Sequence, residues 1–133
     1  MWTTIAVSLL AITTIAPTEP TKVTVFRAKT DGYDTYRIPS VIVTPKGTVL
    51  AFCEGRVKST SDTGNIDLIV KRSIDGGKTW GAQEIVWDDA DNTCGNPCPV
   101  IDRATGTIWM LMTHNLGTDK ESDIIKGTSK GSR

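Results

Sequence analysis

One stretch decides the fold of this chain, and it reads Ser73-Ile74-Asp75-Gly76-Gly77-Lys78-Thr79-Trp80. The Asp75 carboxylate can accept hydrogen bonds from the backbone N–H groups that follow it, and the two glycines permit positive φ angles. The final tryptophan supplies a ring that can pack beneath the turn. We therefore interpret the stretch as a structural turn between strands, and we assign no catalytic role to Asp75.

Short apolar runs alternate with polar, glycine-containing segments on both sides of this turn. No helical period is sustained over a long window, and Val, Ile, Thr and Trp recur in short runs, which favours an all-β chain. Strands are predicted at 23–27, 37–45, 48–56, 66–72, 83–87, 97–101, 107–113 and 122–127. The strands between residues 36 and 88 are joined by hairpins and predict one blade of a β-propeller.

The same strand pattern restarts near residue 96 and predicts an incomplete second blade over residues 96–133. A propeller ring closes with about four to eight blades, each buried against its neighbours. We therefore interpret residues 23–133 as the N-terminal part of a β-propeller, of which this chain supplies about one and a half blades. We expect the chain by itself to be poorly soluble, because its apolar blade faces lack neighbours.

The composition excludes several classes of function. The chain has 133 residues with 15 basic and 15 acidic side chains, so it offers no support for a nucleic-acid partner. His114 is the only histidine, and no second Cys/His pair completes a zinc site with Cys94 and Cys98. We therefore expect no metal. Cys53 lies in an apolar run and is predicted to be a buried thiol, whereas a bridge between the other two cysteines stays open.

The N-terminus carries an apolar run over residues 5–12, followed by a turn-rich segment. This pattern is typical of a secretory signal, although no Lys or Arg precedes the apolar run. We interpret residues 1–22 as a signal or leader segment and expect a secreted, periplasmic or cell-surface protein. A frayed leader or an added first strand is the alternative. The run is too short to span a bilayer.

Hairpin geometry places several polar side chains at one rim of the predicted blade. A two-residue turn at Lys46-Gly47 would set Arg37 opposite Arg56, on the same face of the sheet. Two arginines this close repel each other unless an anion lies between or above them. Strand direction brings the loop that carries Asp62 to the same rim, together with Asn96 and Glu54. It sends the turn at 73–80 to the opposite rim.

Each of these residues has a plainer interpretation. The two arginines can be solvated edge residues, and a register slip by one would separate their side chains. Asp62 lies in the turn-rich stretch Ser61-Asp62-Thr63-Gly64-Asn65, and Asp67 is a competing carboxylate. Asn96 can be a turn former, and Glu54 can serve only to neutralise the arginines.

Four motifs in this order resemble exo-α-sialidases (neuraminidases). They are Tyr36-Arg37-Ile38-Pro39, Phe52-Cys53-Glu54-Gly55-Arg56, Asp62, and the turn at 73–80, which fits the Asp-box (BNR) pattern Ser-x-Asp-x-Gly-x-Thr-Trp. The stretch Gly95-Asn96-Pro97-Cys98-Pro99-Val100 is similar to the opening of the second blade in that family. The resemblance covers residues 24–115.

This resemblance implies a six-bladed propeller that hydrolyses terminal α-linked sialic acids with retention, from glycoproteins, glycolipids or oligosaccharides, without a cofactor. By the resemblance, Arg37 binds the substrate carboxylate and Asp62 is the acid/base residue. Arg56, Glu54 and Asn96 would bind the substrate or shape its pocket.

The family's tyrosine nucleophile, its glutamate partner and two further arginines come from later blades, and neither Tyr33 nor Tyr36 matches the nucleophile. We therefore expect the 133-residue chain alone to be inactive. A non-catalytic Asp-box propeller that binds anionic sugars is the alternative function. A purely structural Asp-box repeat protein is a third.

Overall fold

The computed structural model describes residues 21–131, so the predicted leader lies almost entirely outside the described residues. The described chain contains six strands and one short helix: β1 (Thr35–Val43), β2 (Val49–Arg56), β3 (Ile66–Ser73), β4 (Glu84–Trp87), β5 (Thr93–Ile101), β6 (Ile108–Asn115) and α1 (Glu121–Lys126). Within residues 21–131, no helix has the length and apolar character needed to cross a membrane.

The strands form one open sheet in the order β1-β2-β3-β5-β6, and β4 pairs with β3. β1 to β4 are antiparallel neighbours, as expected for a blade built from successive hairpins. β5 is joined to β3 by a single parallel bridge between Thr93 and Ile66, and it pairs antiparallel with β6. The sheet thus contains one four-stranded unit and a second unit that begins with β5 and β6.

The core is built around β2, which is covered on both faces and therefore reads as a continuous apolar run. Leu50, Phe52 and Val70 are buried on one face, where Met110 of β6 packs against them. On the other face the buried cluster consists of Tyr33, Cys53 and Ile69. The prediction that Cys53 is a buried thiol is confirmed, since only 2% of its surface is exposed.

Two predicted strands are wrong. Residues 122–127 fall on α1 instead, with acidic Glu121 and Asp123 in the first turn and Lys126 in the last, charges that complement the helix dipole. Gly127 follows at φ 75° and ends the helix in the left-handed conformation. Residues 23–27 contain no strand either. Phe26 instead stacks on Tyr36, with ring centroids 5.2 Å apart.

The predicted two-residue turn at Lys46-Gly47 is also wrong. Thr44 N–H donates to the carbonyl of Thr48, and Gly47 N–H donates to the carbonyl of Thr44. Gly47 closes this longer turn with φ 83°, a conformation that glycine adopts at little cost. As a result Val43 pairs with Val49, one residue away from the predicted register.

A β-bulge shifts the register of this hairpin a second time, between Arg37 and Ser40. Arg37 consequently pairs with Glu54, and it is Thr35 that lies opposite Arg56, so the predicted pairing of the two arginines is wrong. The two shifts have the same direction and amount to two residues. Because side chains alternate with a period of two, Arg37 still lies on the predicted face of the sheet.

Candidate active site

Arg56 is the buried centre of the polar cluster at the end of β2, with 2% of its surface exposed. Its Nε and Nη2 atoms donate to Oε2 of Glu54 at 3.1 and 2.6 Å. Nη1 donates to the carbonyls of Thr60 and Ser61 at 2.7 and 2.9 Å, and Nη2 also lies 2.8 Å from Oδ1 of Asp62. Since these contacts engage all five N–H groups, Arg56 holds the loop after β2 in place.

Asp62 lies between the two arginines. Its Oδ1 is 2.8 Å from Nη1 of Arg37 and 2.8 Å from Nη2 of Arg56. This carboxylate is therefore the anion that two neighbouring arginines require. The hydrogen bond from Arg56, with the charges of both guanidiniums, lowers the pKa of Asp62, which keeps its carboxylate ionised at neutral pH.

Arg37 is the accessible member of the arginine pair, because 45% of its side chain is exposed against 3% for Arg56. Among residues 21–131, only Asp62 bonds to its guanidinium, through Nη1. Its backbone carbonyl accepts a hydrogen bond from Sγ of Cys53 at 2.9 Å. Arg37 thus combines an anchored backbone with N–H donors that can meet a carboxylate in a bidentate fork.

Glu54 connects the first unit of the sheet to the second. Its Oε2 is bound to Arg56, and its Oε1 accepts the backbone N–H of Asn96 at 2.9 Å. The backbone of Gly95 passes so close that a Cβ at this position would overlap Oε1. With 3% of its surface exposed and both oxygens engaged, Glu54 acts as the internal counterion of Arg56, which matches the neutralising alternative for this residue.

Asn96 occupies a second β-bulge, where the pairing of β5 with β6 shifts between Gly95 and Cys98. Its φ is 52°, and its side-chain amide donates to Oγ1 of Thr113 at 2.9 Å. The side chain is exposed, and its Oδ1 has no hydrogen-bond partner within the described part of the chain. Asn96 therefore offers a fixed, accessible acceptor near the cluster of charges.

An open cavity of about 540 Å³ is lined by Glu54, Arg56, Asp62 and Asn96, and Arg37 adjoins it through its contact with Asp62. The side chains that line it come from both units of the sheet and from the segment around α1: Ile38, Glu54, Arg56, Asp62, Ile66, Thr93, Asn96, Thr113, His114, Asn115, Asp119, Glu121, Ile124 and Ser129. Thr113, His114 and Asp119 were missed by the sequence interpretation, since no local motif marks them. The pairing of Thr113 with Gly95 is the signal that brings β6 to this cavity.

His114 links the two units at the side of the cavity. Its Nε2 lies 2.7 Å from Oδ2 of Asp89, and its ring stacks on Trp87 with centroids 5.4 Å apart and planes 6° from parallel. Hydrogen bonds from Asn92 and His114 lower the pKa of Asp89. These contacts fasten β4 to β6, so His114 has a structural role in this arrangement.

Both described tyrosines belong to the opposite face of the sheet. Tyr33 donates from its hydroxyl to Oδ2 of Asp67 at 2.6 Å, and burial raises the pKa of Tyr33. Tyr36 donates to the carbonyl of Thr30 at 2.8 Å. Asp67, the competing carboxylate, is 5% exposed and is bound in this core. Asp62, by contrast, lines the cavity and contacts both arginines.

The turn that follows β3 lies at the other end of the sheet, because Ser73 pairs with Val49 while Ile66 pairs with Arg56. Asp75 accepts hydrogen bonds from the backbone of Lys78 and Thr79 and from the hydroxyls of Thr79 and Ser73. The distances lie between 2.6 and 3.0 Å. These bonds, led by the Thr79 hydroxyl, hold the pKa of Asp75 far below its usual range. The structural interpretation of Asp75 is confirmed.

The cysteines form no bridge: Cys53, Cys94 and Cys98 are free thiols, and Cys98 is exposed. In the part of the chain that the structure describes, no three His, Cys, Asp or Glu side chains come together in an arrangement that could hold a metal ion.

The chain is similar to known proteins of one family. Residues 47–132 match the BNR repeat-like domain. The sialidase of Micromonospora viridifaciens is 39% identical over 85 residues, which cover 59% of this chain and 13% of that protein. Human Sialidase-4 is 35% identical over 111 residues, which cover 80% of this chain and 22% of that protein.

A solved structure with the same fold is that of the Hadza microbial sialidase Hz136. It superposes with a TM-score of 0.63 at 31% identity, over 69% of this chain and 20% of its own length. The chain therefore spans only 13–22% of the length of these three proteins. The open all-β sheet and this likeness confirm the predicted fold class, a partial propeller. The chain belongs to the family of BNR-repeat, sialidase-like proteins.

Proposed function

We propose that this chain provides the carboxylate-binding arginine and the acid/base carboxylate of a retaining exo-α-sialidase. Its substrates would be terminal α-linked sialic acids on glycoproteins, glycolipids or oligosaccharides. One observation carries the proposal: the Asp62 carboxylate bridges an accessible arginine and a buried one at an open cavity. The named sialidases among its relatives support the same activity.

Arg37 would bind the carboxylate of the sialic acid. Its Nη1 is bound to Asp62 in the structure, and the other edge of its guanidinium is accessible. A planar guanidinium matches a carboxylate through two parallel hydrogen bonds, which fixes orientation as well as supplying charge. The substrate carboxylate would share Arg37 with Asp62 or take its place.

Asp62 would protonate the glycosidic oxygen and then activate water. The two arginines lower its pKa, so the acid role requires a change when substrate binds. The substrate carboxylate supplies that change, because it competes for Arg37 and places a second negative charge nearby. Both effects raise the pKa of Asp62 and favour its protonated form.

Arg56 would act mainly through the loop that carries Asp62. Its N–H groups are all engaged by Glu54, Asp62 and two loop carbonyls. Direct contact between Arg56 and the sugar, as the family resemblance implies, would require one of these bonds to open. Asn96 remains the proposed partner for the polar substituents of the sugar, through its accessible side chain.

Hydrolysis would also need a nucleophile that the described tyrosines do not supply, because both are bound on the opposite face of the sheet. We propose that the nucleophile, its partner glutamate and further arginines come from other blades of a complete propeller, and that the N-terminal segment directs export. The described chain thus accounts for one side of the proposed active site.

The activity can be tested in a chimera in which this chain replaces the aligned part of human Sialidase-4, a match that spans 80% of the chain. We expect the chimera to release sialic acid from a fluorogenic sialoside, and Arg37→Ala to lower kcat/KM on the order of 100-fold. Arg72→Ala is the matched control, since Arg72 lies on β3 near the Asp75 turn. A folded chimera without activity, or equal losses for both variants, would contradict the proposal.

A binding module for anionic sugars is the second candidate, and the ionised state of Asp62 favours it. A carboxylate held between two arginines is poorly suited to donate a proton unless a ligand disturbs the pairing. Calorimetry with a sialoside separates the two functions. A chimera that binds the sialoside through Arg37 but releases no sugar would identify the binding module.

A further inference from the structure

We propose that Ile38 is a positioning residue for Arg37: its left-handed backbone forms the β-bulge that turns the Arg37 side chain toward Glu54 and Asp62. The relevance of this bulge to substrate binding rests on the proposed function, in which Arg37 binds a carboxylate. The bulge itself is a property of β1 and can be tested without any substrate.

Ile38 has φ 53°, in the left-handed region. A β-branched residue is rarely found there, because its Cβ substituents crowd the backbone, and such a conformation persists only when the surroundings impose it. Burial of its side chain does not explain the strain, since 37% of Ile38 is exposed. The strained residue instead sits directly beside Arg37, at the cavity that both units line.

The register shows what the bulge achieves. On the turn side of the bulge, Ser40 pairs with Phe52. A regular strand continuing from this pair would set Arg37 opposite Gly55, on the face where Tyr33 and Cys53 are buried. The extra residue at Ile38 moves Arg37 opposite Glu54 and onto the face of Arg56. Without the bulge, the guanidinium would point into the aromatic core rather than toward Asp62.

The backbone around the bulge is held in place by the neighbouring strand. Cys53 donates from Sγ to the carbonyl of Arg37, directly before the strained residue. Pro39 follows Ile38 and adds to the strain, because a residue before a proline prefers an extended backbone. The bond from Cys53 and the pairing with β2 on both sides of the bulge therefore maintain the strained φ angle.

A second bulge in the same chain supplies an internal comparison. Asn96 has φ 52° and also precedes a proline, at the matching place in β5. Asparagine tolerates the left-handed region far better than isoleucine. The same type of bulge therefore occurs in β1 and in β5. Only in β1 is its left-handed position occupied by a residue that disfavours this conformation, and only there does an arginine precede that residue.

The test uses the 133-residue chain and follows the carboxyl group of Asp62 by NMR titration. Arg37→Ala gives the reference, a raised pKa for Asp62, because one guanidinium is lost. Ile38→Gly retains the left-handed conformation, so Asp62 should titrate as in the parent chain. Ile38→Pro imposes φ near −65° and should raise the pKa of Asp62 as far as Arg37→Ala does. Ala90→Pro replaces another left-handed residue (φ 51°), whose N–H donates to Asp88 and not to this cluster, and it is the control that should leave the Arg37 contribution intact.

A folded Ile38→Pro chain in which Asp62 titrates as in the parent would overturn the proposal. If that variant fails to fold, the unfolding midpoints of Ile38→Gly and Ile38→Ala test whether the backbone at position 38 is left-handed. A left-handed position makes the glycine variant the more stable of the two, whereas a regular strand makes the alanine variant more stable. A more stable alanine variant would also overturn the proposal. None of these readouts involves sialoside hydrolysis, so an inactive chimera would reject the proposed function and leave this inference standing.

Discussion

Arg37 forms an ion pair with Asp62, a residue that lines the cavity, and its Nη1 lies 2.8 Å from Oδ1 of Asp62. The same oxygen lies 2.8 Å from Nη2 of Arg56, so one carboxylate oxygen serves two guanidiniums. The two arginines differ sharply in exposure, with 45% of the Arg37 side chain and 3% of the Arg56 side chain accessible. Asp62 is therefore tied to the protein through Arg56, and Arg37 is the partner that an incoming anion can take.

The acid role of Asp62 predicts a dependence on the leaving group. In the chimera with Sialidase-4, Asp62→Ala should lower turnover of natural sialosides by about 10²- to 10⁴-fold, because protonation of the leaving oxygen is lost. A sialoside with an activated aryl leaving group needs less protonation and should lose much less. Steady-state kinetics on both substrates measures the difference. Asp91→Ala, at an exposed carboxylate, is the control, and equal losses on both substrates would contradict the acid role.

The Asp75 turn predicts how stability responds to acid. Its hydrogen bonds depress the pKa of Asp75 in the folded chain, so the carboxylate stabilises the fold above its ordinary pKa of 3.8. That contribution should disappear as the pH falls below this value toward the lowered pKa. Asp75→Asn should lower the thermal midpoint at pH 7. It should also make the midpoint decrease less as the pH is lowered from about 4 to 2. Thermal unfolding across this range tests both effects, and binding of a sialoside should not change.

Gly55 predicts a packing constraint inside the fold. A Cβ at this position would lie 2.7 Å from the ring of Tyr33, which is held by its bond to Asp67. Gly55→Ala should therefore destabilise the chain by about 1–3 kcal/mol, the usual cost of overpacking a core. Gly81→Ala is the matched control, because its Cβ would meet its nearest neighbour, the Arg72 carbonyl oxygen, at 3.5 Å. Chemical denaturation gives both values, and equal stabilities for the two variants would contradict the packing argument.

The three thiols should react at very different rates. Burial raises the pKa of Cys53 to about 12 and that of Cys94 to about 11, whereas Cys98 is exposed. A thiol reagent at pH 8 should therefore modify one cysteine quickly in the folded chain, and all three in denaturant. Cys98→Ser should abolish the fast phase. Fast modification of two thiols in the folded state would show that Cys53 or Cys94 is accessible, which contradicts their burial.

Local signals in the sequence were sufficient for much of the fold. The Asp75 turn was predicted correctly, because its hydrogen bonds join residues within a few positions of each other. The apolar run at 48–56 predicted a strand, and the structure shows that β2 is covered on both faces. The helix at 121–126 was missed even though its charges and its terminal glycine favour a helix, because strand continuation was expected from the preceding hairpin.

The position of Arg37 was predicted only in part. The sequence placed it on the correct face of β1, although its predicted partner Arg56 was wrong. A longer turn at Gly47 and a bulge at Ile38 each shift the register by one residue, and two shifts restore the face. The residue types do not predict the register shifts. An isoleucine before a proline, for example, does not indicate a left-handed backbone.

By itself, the sequence determined the blade pattern, the structural turn and the set of polar residues that meet at one rim. Only the tertiary structure decided what those residues do to one another: Arg56 is buried and fully bonded, Arg37 is accessible, and Glu54 reaches across to the backbone of Asn96. The physical reason is the range of the interactions. Turns and strands follow from contacts between near neighbours, whereas burial and ion pairing depend on register and on loops packed from distant parts of the chain.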